Sequence, residues 1–135
     1  MEIEKIMSRR VVTVKMDDTL SKVKDIFAKN RFHHLLVVEN KKLFGVISDR
    51  DLLKSLSPTI GTPAETYKDL AALNRKVHQI MTRSPIALHE GAQLGEAVEL
   101  FNHHKVSCIP IVNADEIPVG ILSWRDIMKA LIKPA

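Results

Sequence analysis

The sequence contains an internal repeat, and this constrains the fold most strongly because both copies must adopt the same order of elements. Residues 45–51, Gly-Val-Ile-Ser-Asp-Arg-Asp, match residues 120–126, Gly-Ile-Leu-Ser-Trp-Arg-Asp, and share the Gly, Ser, Arg and final Asp. Earlier in each copy, Ile6-Met7-Ser8-Arg9 aligns with Ile80-Met81-Thr82-Arg83. The period exceeds the roughly 20 to 50 residues of solenoid repeats. We therefore interpret the chain as a duplicated module.

Each copy shows the same order of local patterns, namely strand, helix, strand, strand and helix. In the first copy, Leu20 and Val23 fall on one face at helical spacing, with Asp18 or Thr19 as the predicted N-cap and Asn30 as the predicted stop. Two apolar runs around a polar turn predict a strand pair in each copy. The sequence therefore predicts an α+β fold, an α/β roll built from tandem β-α-β-β-α modules.

We expect the first module to span residues 1–56 and the second to span residues 77–135. Each copy alone is marginal for burying a core, so the two should form one unit together. Residues 57–76 begin with helix-breaking Pro and Gly and then become helix-friendly, which predicts a packed connection. The apolar face expected for this connection consists of Tyr67, Leu70, Ala71 and Leu73.

Composition excludes several classes of protein for this chain of 135 residues. No apolar run approaches the roughly 20 residues of a membrane span, and the acidic start is not typical of a signal peptide. The net charge is +4, with the excess in residues 1–56, and aromatics are only 4%, so we do not expect a nucleic-acid partner. The single Cys108 provides neither a disulfide framework nor a zinc site, which favours a reducing, cytoplasmic setting.

The repeated Gly-x-x-Ser-x-x-Asp segments carry the most informative chemistry. Each places a Ser where an apolar strand runs into a helix, and an Asp three residues later, at Ser48 and Asp51 or at Ser123 and Asp126. A hydroxyl and free N–H groups there suit a phosphate, and a carboxylate suits the two hydroxyls of a ribose. Gly would let a ligand approach the backbone. The alternative is a capping box, which uses the same residues to begin the helix.

Together these segments resemble a tandem pair of CBS (cystathionine-β-synthase-type) domains, a Bateman module. The resemblance rests on the two Ile-Met-Ser/Thr segments, on residues 17–20 and 109–112, and on the two Gly-x-x-Ser-x-x-Asp segments. The connection is also similar to that of stand-alone bacterial members of the acetoin-utilisation regulatory type. The resemblance implies two three-stranded sheets related by a pseudo-twofold axis, with clefts between the two motifs.

The resemblance also implies a function and its residues. Such clefts take an adenosine-containing metabolite, namely AMP, ADP, ATP or S-adenosylmethionine. The implied roles are ribose binding by Asp51 and Asp126, phosphate contact by Ser48, Ser123, and His33 or His34, and base contact by Val46, Ile121, Val12 and Ile86. From the motif itself, Arg50 and Arg125 either pair with a phosphate or point to solvent.

The second copy departs from this pattern. Ser107 and Cys108 stand where the first copy has His33 and His34, and Trp124 replaces Asp49, so we expect unequal sites. The chain has two His-His pairs, His33-His34 and His103-His104. Neither pair is expected to hold a metal, because adjacent strand residues point to opposite faces. Cys108 is interpreted as a core thiol.

We therefore expect a regulatory ligand-binding module that is not an enzyme and requires no cofactor. The alternative is a ligand-free module for dimerisation or protein docking. The family forms dimers through its helices, so a homodimer is expected, with any output passing through a separate effector protein.

Overall fold

The computed structural model describes residues 1–132, so residues 133–135 of the expected second module lie outside it. The regular elements follow the predicted order in both copies, and the α+β fold class is confirmed. The elements of the first copy and the connection are β1 (Thr13–Val14), α1 (Leu20–Lys29), β2 (His34–Glu39), β3 (Lys42–Ser48), α2 (Asp49–Ser55) and α3 (Tyr67–Leu73). Those that follow are β4 (Thr82–Arg83), β5 (Leu88–His89), α4 (Leu94–His103), β6 (Cys108–Val112), β7 (Pro118–Ser123) and α5 (Trp124–Ile132).

Helix α1 forms where its sequence signals predict. The Thr19 side chain accepts a hydrogen bond from the Lys22 N–H at 3.3 Å, so Thr19 rather than Asp18 is the N-cap. Leu20 and Val23 are buried on the inner face, and Asn30 ends the helix. Its side-chain amide donates to the Ile26 carbonyl at 2.7 Å, which satisfies one of the free carbonyls of the last turn.

The first sheet has four strands in the order β1-β2-β3-β4, where the resemblance implied three. Strands β1 and β2 run parallel, and β3 pairs antiparallel with β4. The fourth strand, Thr82–Arg83, comes from the second copy and begins at the Thr of its Ile-Met-Thr segment. The extra strand therefore arises because the second copy contributes its first segment to the sheet of the first.

The second sheet has three strands in the order β5-β6-β7, with β5 parallel and β7 antiparallel to β6. The Ile-Met-Ser segment of the first copy joins this sheet through an isolated β-bridge. The Ser8 N–H donates to the Ile121 carbonyl at 2.9 Å, and the Ile121 N–H donates to the Ser8 carbonyl at 2.9 Å. Each sheet is thus bordered by the Ile-Met-Ser/Thr segment of the other copy.

Contacts divide the chain into two compact units that do not follow the repeat boundaries. The first-repeat unit comprises residues 13–39 and 44–84. Among the described residues, the second-repeat unit comprises residues 1–12, 40–43 and 85–132. Each unit is therefore discontinuous in sequence, and each includes residues of the other copy.

A buried methionine fills the core of each unit beside a glycine. Met7 and Met81 are each 8% exposed and belong to the core. A Cβ on Gly45 would lie 2.7 Å from the Met81 Sδ and 2.9 Å from the Thr82 carbonyl oxygen. A Cβ on Gly120 would meet Met7 in the same way. Protein atoms therefore occupy the space beside both glycines, where the sequence had suggested the approach of a ligand.

In the connection, the predicted apolar face of α3 is wrong. Tyr67 is 91% exposed and Leu70 is 45% exposed, whereas Asp69 is buried. The Asp69 carboxylate accepts hydrogen bonds from the Thr59 hydroxyl and, at 2.9 Å, from the Thr66 N–H. The Thr59 hydrogen bond is the main reason why the pKa of Asp69 lies below its usual value. A polar anchor, rather than apolar burial, positions this helix.

Candidate functional site

The first junction, residues 45–51, runs from β3 into α2 and holds its Ser and Asp in a reciprocal pair. The Asp51 N–H donates to the Ser48 Oγ at 3.0 Å, and the Ser48 N–H donates to the Asp51 Oδ2 at 2.9 Å. This geometry is a capping box, which satisfies two backbone donors at the start of the helix. Both side chains are half-buried, so they are fixed in place and remain accessible from outside.

The second junction, residues 120–126, runs from β7 into α5 and repeats this geometry. The Ser123 N–H donates to the Asp126 Oδ2 at 2.9 Å, and the Asp126 N–H donates to the Ser123 Oγ at 3.3 Å. Here the Ser123 hydroxyl also donates to the same Oδ2 at 3.1 Å. The hydroxyl of this copy is therefore engaged with the carboxylate, and Ser123 and Asp126 are again half-buried.

The capping interpretation left open by the sequence is thus realised at both junctions. A third capping box, Thr66 with Asp69, has the same spacing at α3 but lacks the preceding Gly and strand. Capping geometry alone therefore does not identify a ligand site. At both junctions the capping bonds use only Oδ2 of the Asp, which leaves Oδ1 of the carboxylate outside the box.

The remaining predicted site residues are distributed between the two units. Val46 follows Gly45 on β3, is half-buried, and lies with His33 and His34 in the first-repeat unit. Ile121 is half-buried in the second-repeat unit. That unit also contains Val12 and Ile86, which are half-buried and precede β1 and β5. The side chains of Arg50 and Arg125 are exposed on the first turns of α2 and α5.

His33 and His34 lie directly beside the first junction. The His33 Nδ1 is 2.7 Å from the Asp49 Oδ2, and the Asp49 N–H donates to the His33 carbonyl at 3.0 Å. These contacts place the imidazole of His33 at the first turn of α2. His34 opens β2 and is half-buried. Burial is the main reason why the pKa of His34 lies below its usual value, and the nearby Asp49 opposes this effect.

Asp49 is a functional candidate that sequence reasoning missed. It had been noted only as the counterpart of Trp124, yet its carboxylate lies within hydrogen-bond distance of the His33 ring. The sequence did contain a signal for the contact between Asp49 and His33, namely the predicted strand pair around the turn at Asn40 and Lys41. In a hairpin, residues that lie equally far from the turn face each other across the two strands. Counting outward from that turn places His33 opposite Ser48 and next to Asp49.

The second copy has different chemistry at the matching positions. Ser107 is exposed, and Cys108 is buried in β6 opposite Ser123. Burial raises the pKa of Cys108 to about 12, which confirms the expected core thiol. The ring of Trp124 packs on Phe101 with a centroid distance of 4.7 Å and remains 44% exposed. The side chains beside the two junctions therefore differ. A carboxylate and two imidazoles lie at the first, and a hydroxyl, a thiol and an indole take the matching positions at the second.

Within residues 1–132, no three His, Cys, Asp or Glu side chains are grouped so that they could hold a metal ion. None of the helices in the same range has the length and apolar character needed to cross a membrane.

The repeated order of elements, with one Ser–Asp junction in each copy, matches a known class of domain. A family model described as the CBS domain matches residues 3–58 and 77–133. The chain therefore belongs to the CBS domain family and carries two CBS domains in tandem. This confirms the resemblance inferred from the repeated segments.

Among curated relatives, protein MJ1225 of Methanocaldococcus jannaschii is 29% identical over 133 residues, covering 93% of this chain and 47% of that protein. A CBS domain-containing protein of Dictyostelium discoideum is 29% identical, covering 97% of this chain and 91% of the relative. Inosine-5′-monophosphate dehydrogenase of Methanocaldococcus jannaschii is 28% identical, and only 23% of that enzyme is covered. The chain thus spans about half or less of several relatives that it matches.

Solved structures show the same fold. The crystal structure of MJ1225 has a TM-score of 0.82 at 30% identity, covering 97% of this chain and 50% of that one. A Vibrio cholerae protein assigned to acetoin utilisation (AcuB) has a TM-score of 0.77 at 26% identity, with 98% and 90% covered. CBSX2 in complex with AMP has a TM-score of 0.78 at 24% identity, with 97% and 96% covered. At that identity, the likeness to CBSX2 extends to the fold alone.

Proposed function

We propose that this chain is a non-catalytic regulatory module that binds an adenosine-containing metabolite: AMP, ADP, ATP or S-adenosylmethionine. The observation that carries the proposal is the placement of Asp51 and Asp126. Each carboxylate is fixed through Oδ2 at a strand-to-helix junction of a CBS domain, which leaves Oδ1 to accept from a ligand. A fixed carboxylate oxygen in a half-buried position suits the vicinal hydroxyls of a ribose.

The residues near the two junctions suit the base and the phosphate of such a ligand. Val46 and Ile121 are apolar and half-buried on the strands that lead to the junctions, which suits packing against a base. At the first junction, the His33 ring contacts Asp49 on the first turn of α2, and an imidazole is a group that can donate a hydrogen bond to a phosphate. CBSX2, which shares the fold, has been crystallised with AMP. A bound ligand would change the state of a separate effector protein in the cytoplasm.

Thermal unfolding with AMP, ADP, ATP, S-adenosylmethionine and NAD tests this function. A ligand at 100 times its Kd stabilises the folded state by about 2.7 kcal/mol. For a chain of this size the Tm should rise by roughly 10 °C. The absence of any rise at millimolar concentration of all five compounds would refute the proposal.

Replacing the carboxylate of Asp51 or Asp126 shows which of the two junctions binds the ligand. Asp51→Ala and Asp126→Ala should each reduce the ligand-induced rise in Tm, because each removes the acceptor for the ribose. Both changes also remove a capping box, so the Tm without ligand will fall as well. Asp69→Ala is the matched control, since it removes the third capping box and should leave the ligand-induced rise intact. An equal loss in all three variants would contradict the ribose role.

A second function, dimerisation, is favoured by the exposed face of α5. The apolar side chains on this helix that remain exposed are Trp124, Met128, Leu131 and Ile132. We propose that a second copy of the chain covers this face, because exposed contiguous apolar surface is typical of interaction sites. Sedimentation should show a dimer that Met128→Lys weakens and Leu53→Lys, at the matching exposed position of α2, leaves intact. A monomeric wild-type chain would exclude this function.

A further inference from the structure

We propose that two molecules of this protein can exchange residues 85–132, with the hinge at Ser84 and Pro85. In the exchanged dimer, these residues of one molecule would complete the second-repeat unit of the other, and the reverse. This inference does not rest on the proposed ligand. It also differs from the dimer proposed through α5, in which each molecule stays closed.

The path of the chain through the two units makes such an exchange possible. The chain passes between the units after residues 12, 39, 43 and 84. The first three crossings come early, so the first-repeat unit is complete within the first 84 residues. Among the described residues, all those after residue 84 belong to the second-repeat unit. A change of backbone at this last crossing alone would therefore transfer residues 85–132 to another molecule and leave the first-repeat unit intact.

Residues 1–12 pack on residues 85–132, and this is the surface that the exchange would transfer between molecules. Ile3 is 0% exposed, and its N–H donates to the Ala92 carbonyl at 3.0 Å. Ile3 and Met7 lie in one apolar cluster with Ala97, Phe101, Ile109, Ile111, Leu122 and Ile127. Both molecules have the same sequence, so residues 85–132 of a partner would form all of these contacts again.

The backbone of Ser84 is strained in the closed molecule. Its φ is 48°, in the left-handed region that residues other than glycine rarely adopt. Pro85 follows, and a proline favours an extended conformation for the residue before it. Arg10, the counterpart of Ser84 in the first copy, is not among the residues with a positive φ. An extended Ser84 would relieve the strain, and strained hinge segments favour domain exchange.

The strain falls at this crossing because of the strand pairing before it. Thr82 pairs with Val46 between β4 and β3, and the Ser84 N–H donates to the Phe44 carbonyl at 3.2 Å. These bonds hold the chain in the first-repeat unit as far as Ser84. Ser84 itself is exposed, so no burial opposes a change in its conformation. An exchange would therefore bend the chain here and keep the pairing of β4 in place.

Cross-linking between two variants tests the exchange, in a Met128→Lys background that weakens a dimer through α5. Ser8 and Ile121 pair directly, and residues opposite each other in this way have Cβ atoms about 4.5 to 5.5 Å apart. One chain carries Ser8→Cys and the other carries Ile121→Cys. The two chains are unfolded together in urea, refolded at millimolar concentration and treated with a short thiol cross-linker.

We expect a dimer by light scattering and a covalent link between the two different chains on a denaturing gel. A closed molecule carries only one of the two introduced thiols and cannot form this link internally. Cys108 is buried and its pKa is about 12, so it does not compete for the reagent.

Val46 and Thr82 provide the matched control. They pair directly between β3 and β4, and both precede the hinge. Chains with Val46→Cys and Thr82→Cys should therefore give no link between molecules in the same dimer. Links between molecules for both pairs of variants would place the hinge earlier, in the connection, and overturn the role of Ser84.

Two substitutions at the hinge test the strain. Glycine adopts a positive φ without the steric cost, so Ser84→Gly should favour the closed molecule. Each dimer contains two hinges, and the equilibrium constant for dimer formation should fall by about tenfold or more. Ser84→Ala keeps a Cβ at this position and should leave the constant close to that of the wild type.

The outcomes decide the proposal without reference to a ligand. Monomers alone after refolding at millimolar concentration would overturn it, and so would a dimer with no link between residues 8 and 121. An equal dimerisation constant for Ser84→Gly and Ser84→Ala would overturn the hinge. A link confined to residues 8 and 121, with fewer dimers in Ser84→Gly alone, supports the exchange.

Discussion

Replacing Gly45 with Ala should destabilise the protein, whether or not a ligand is present. The new Cβ would lie 2.7 Å from the Met81 Sδ and 2.9 Å from the Thr82 carbonyl oxygen, whereas non-bonded carbon contacts are most favourable near ~3.5 to 4 Å. The Met81 side chain can move aside. The Thr82 carbonyl belongs to the strand pair formed by β3 and β4, so it moves only if that pairing is disturbed.

The expected cost follows from two opposing terms. Overpacking of this kind costs about 1 to 3 kcal/mol. The replacement of Gly by Ala also restricts the unfolded chain, which returns roughly 0.5 to 1 kcal/mol. We therefore expect a net loss of about 1 to 2 kcal/mol and a fall in Tm of roughly 4 to 8 °C.

Urea unfolding followed by circular dichroism and by tryptophan fluorescence measures this loss. The chain has one tryptophan, Trp124, which lies in the second-repeat unit, while Gly45 lies in the first-repeat unit. A shift of both transitions together would mean that the units unfold as one cooperative system. Gly95→Ala is the control, because a Cβ at this position in α4 meets nothing within 4 Å and should stabilise the helix.

An unchanged free energy of unfolding for Gly45→Ala would refute the packing role of this glycine. If that variant also lost the AMP-induced rise in Tm, Gly45 would instead serve the approach of a ligand, as its place in the motif first suggested.

Three further outcomes are expected. Cys108 should resist Ellman's reagent in the folded protein at pH 8, because its pKa is about 12, and complete reaction within the mixing time would contradict this. The lowered pKa of His34 means that the unfolded chain binds its proton first, so stability should fall as pH drops below 6.5. That fall should be smaller in His34→Gln when Tm is followed against pH. Thr66→Ala should cost about 1 kcal/mol in urea unfolding by removing the cap of α3, and an unchanged midpoint would contradict it.

The sequence predicted the elements that depend on local signals. The sequence left Asp18 or Thr19 as the N-cap of α1 and named Asn30 as its stop, and the structure has Thr19 and Asn30 at these places. The capping boxes at Ser48 and Ser123 follow from the same three-residue spacing. Such features are predictable because neighbouring residues in the chain make the relevant hydrogen bonds.

The features that the sequence missed depend on distant residues. Strand β4 forms only because Thr82 and Arg83 pair with β3 of the other copy, and no local pattern of two residues reveals this. On α3, helical spacing suggested an apolar face that included Tyr67. A hydrogen bond from Thr59, ten residues before Asp69, instead turns the acidic side inward. The partnership of His33 with Asp49 also required the register of the hairpin.

The exchange of first segments between the copies has a consequence for the folding of the chain. Residues 1–12 are synthesised first, yet they belong to the unit completed by residues from 85 onward. The Ser8 bridge to Ile121 therefore closes a loop that spans most of the chain, and such long-range closure slows folding. During translation, the Ile-Met-Ser segment must remain unpaired until the second copy leaves the ribosome. A polypeptide released before residue 120 would lack both Gly120 and the strand partner of Ser8, so the apolar Ile6 and Met7 would remain uncovered.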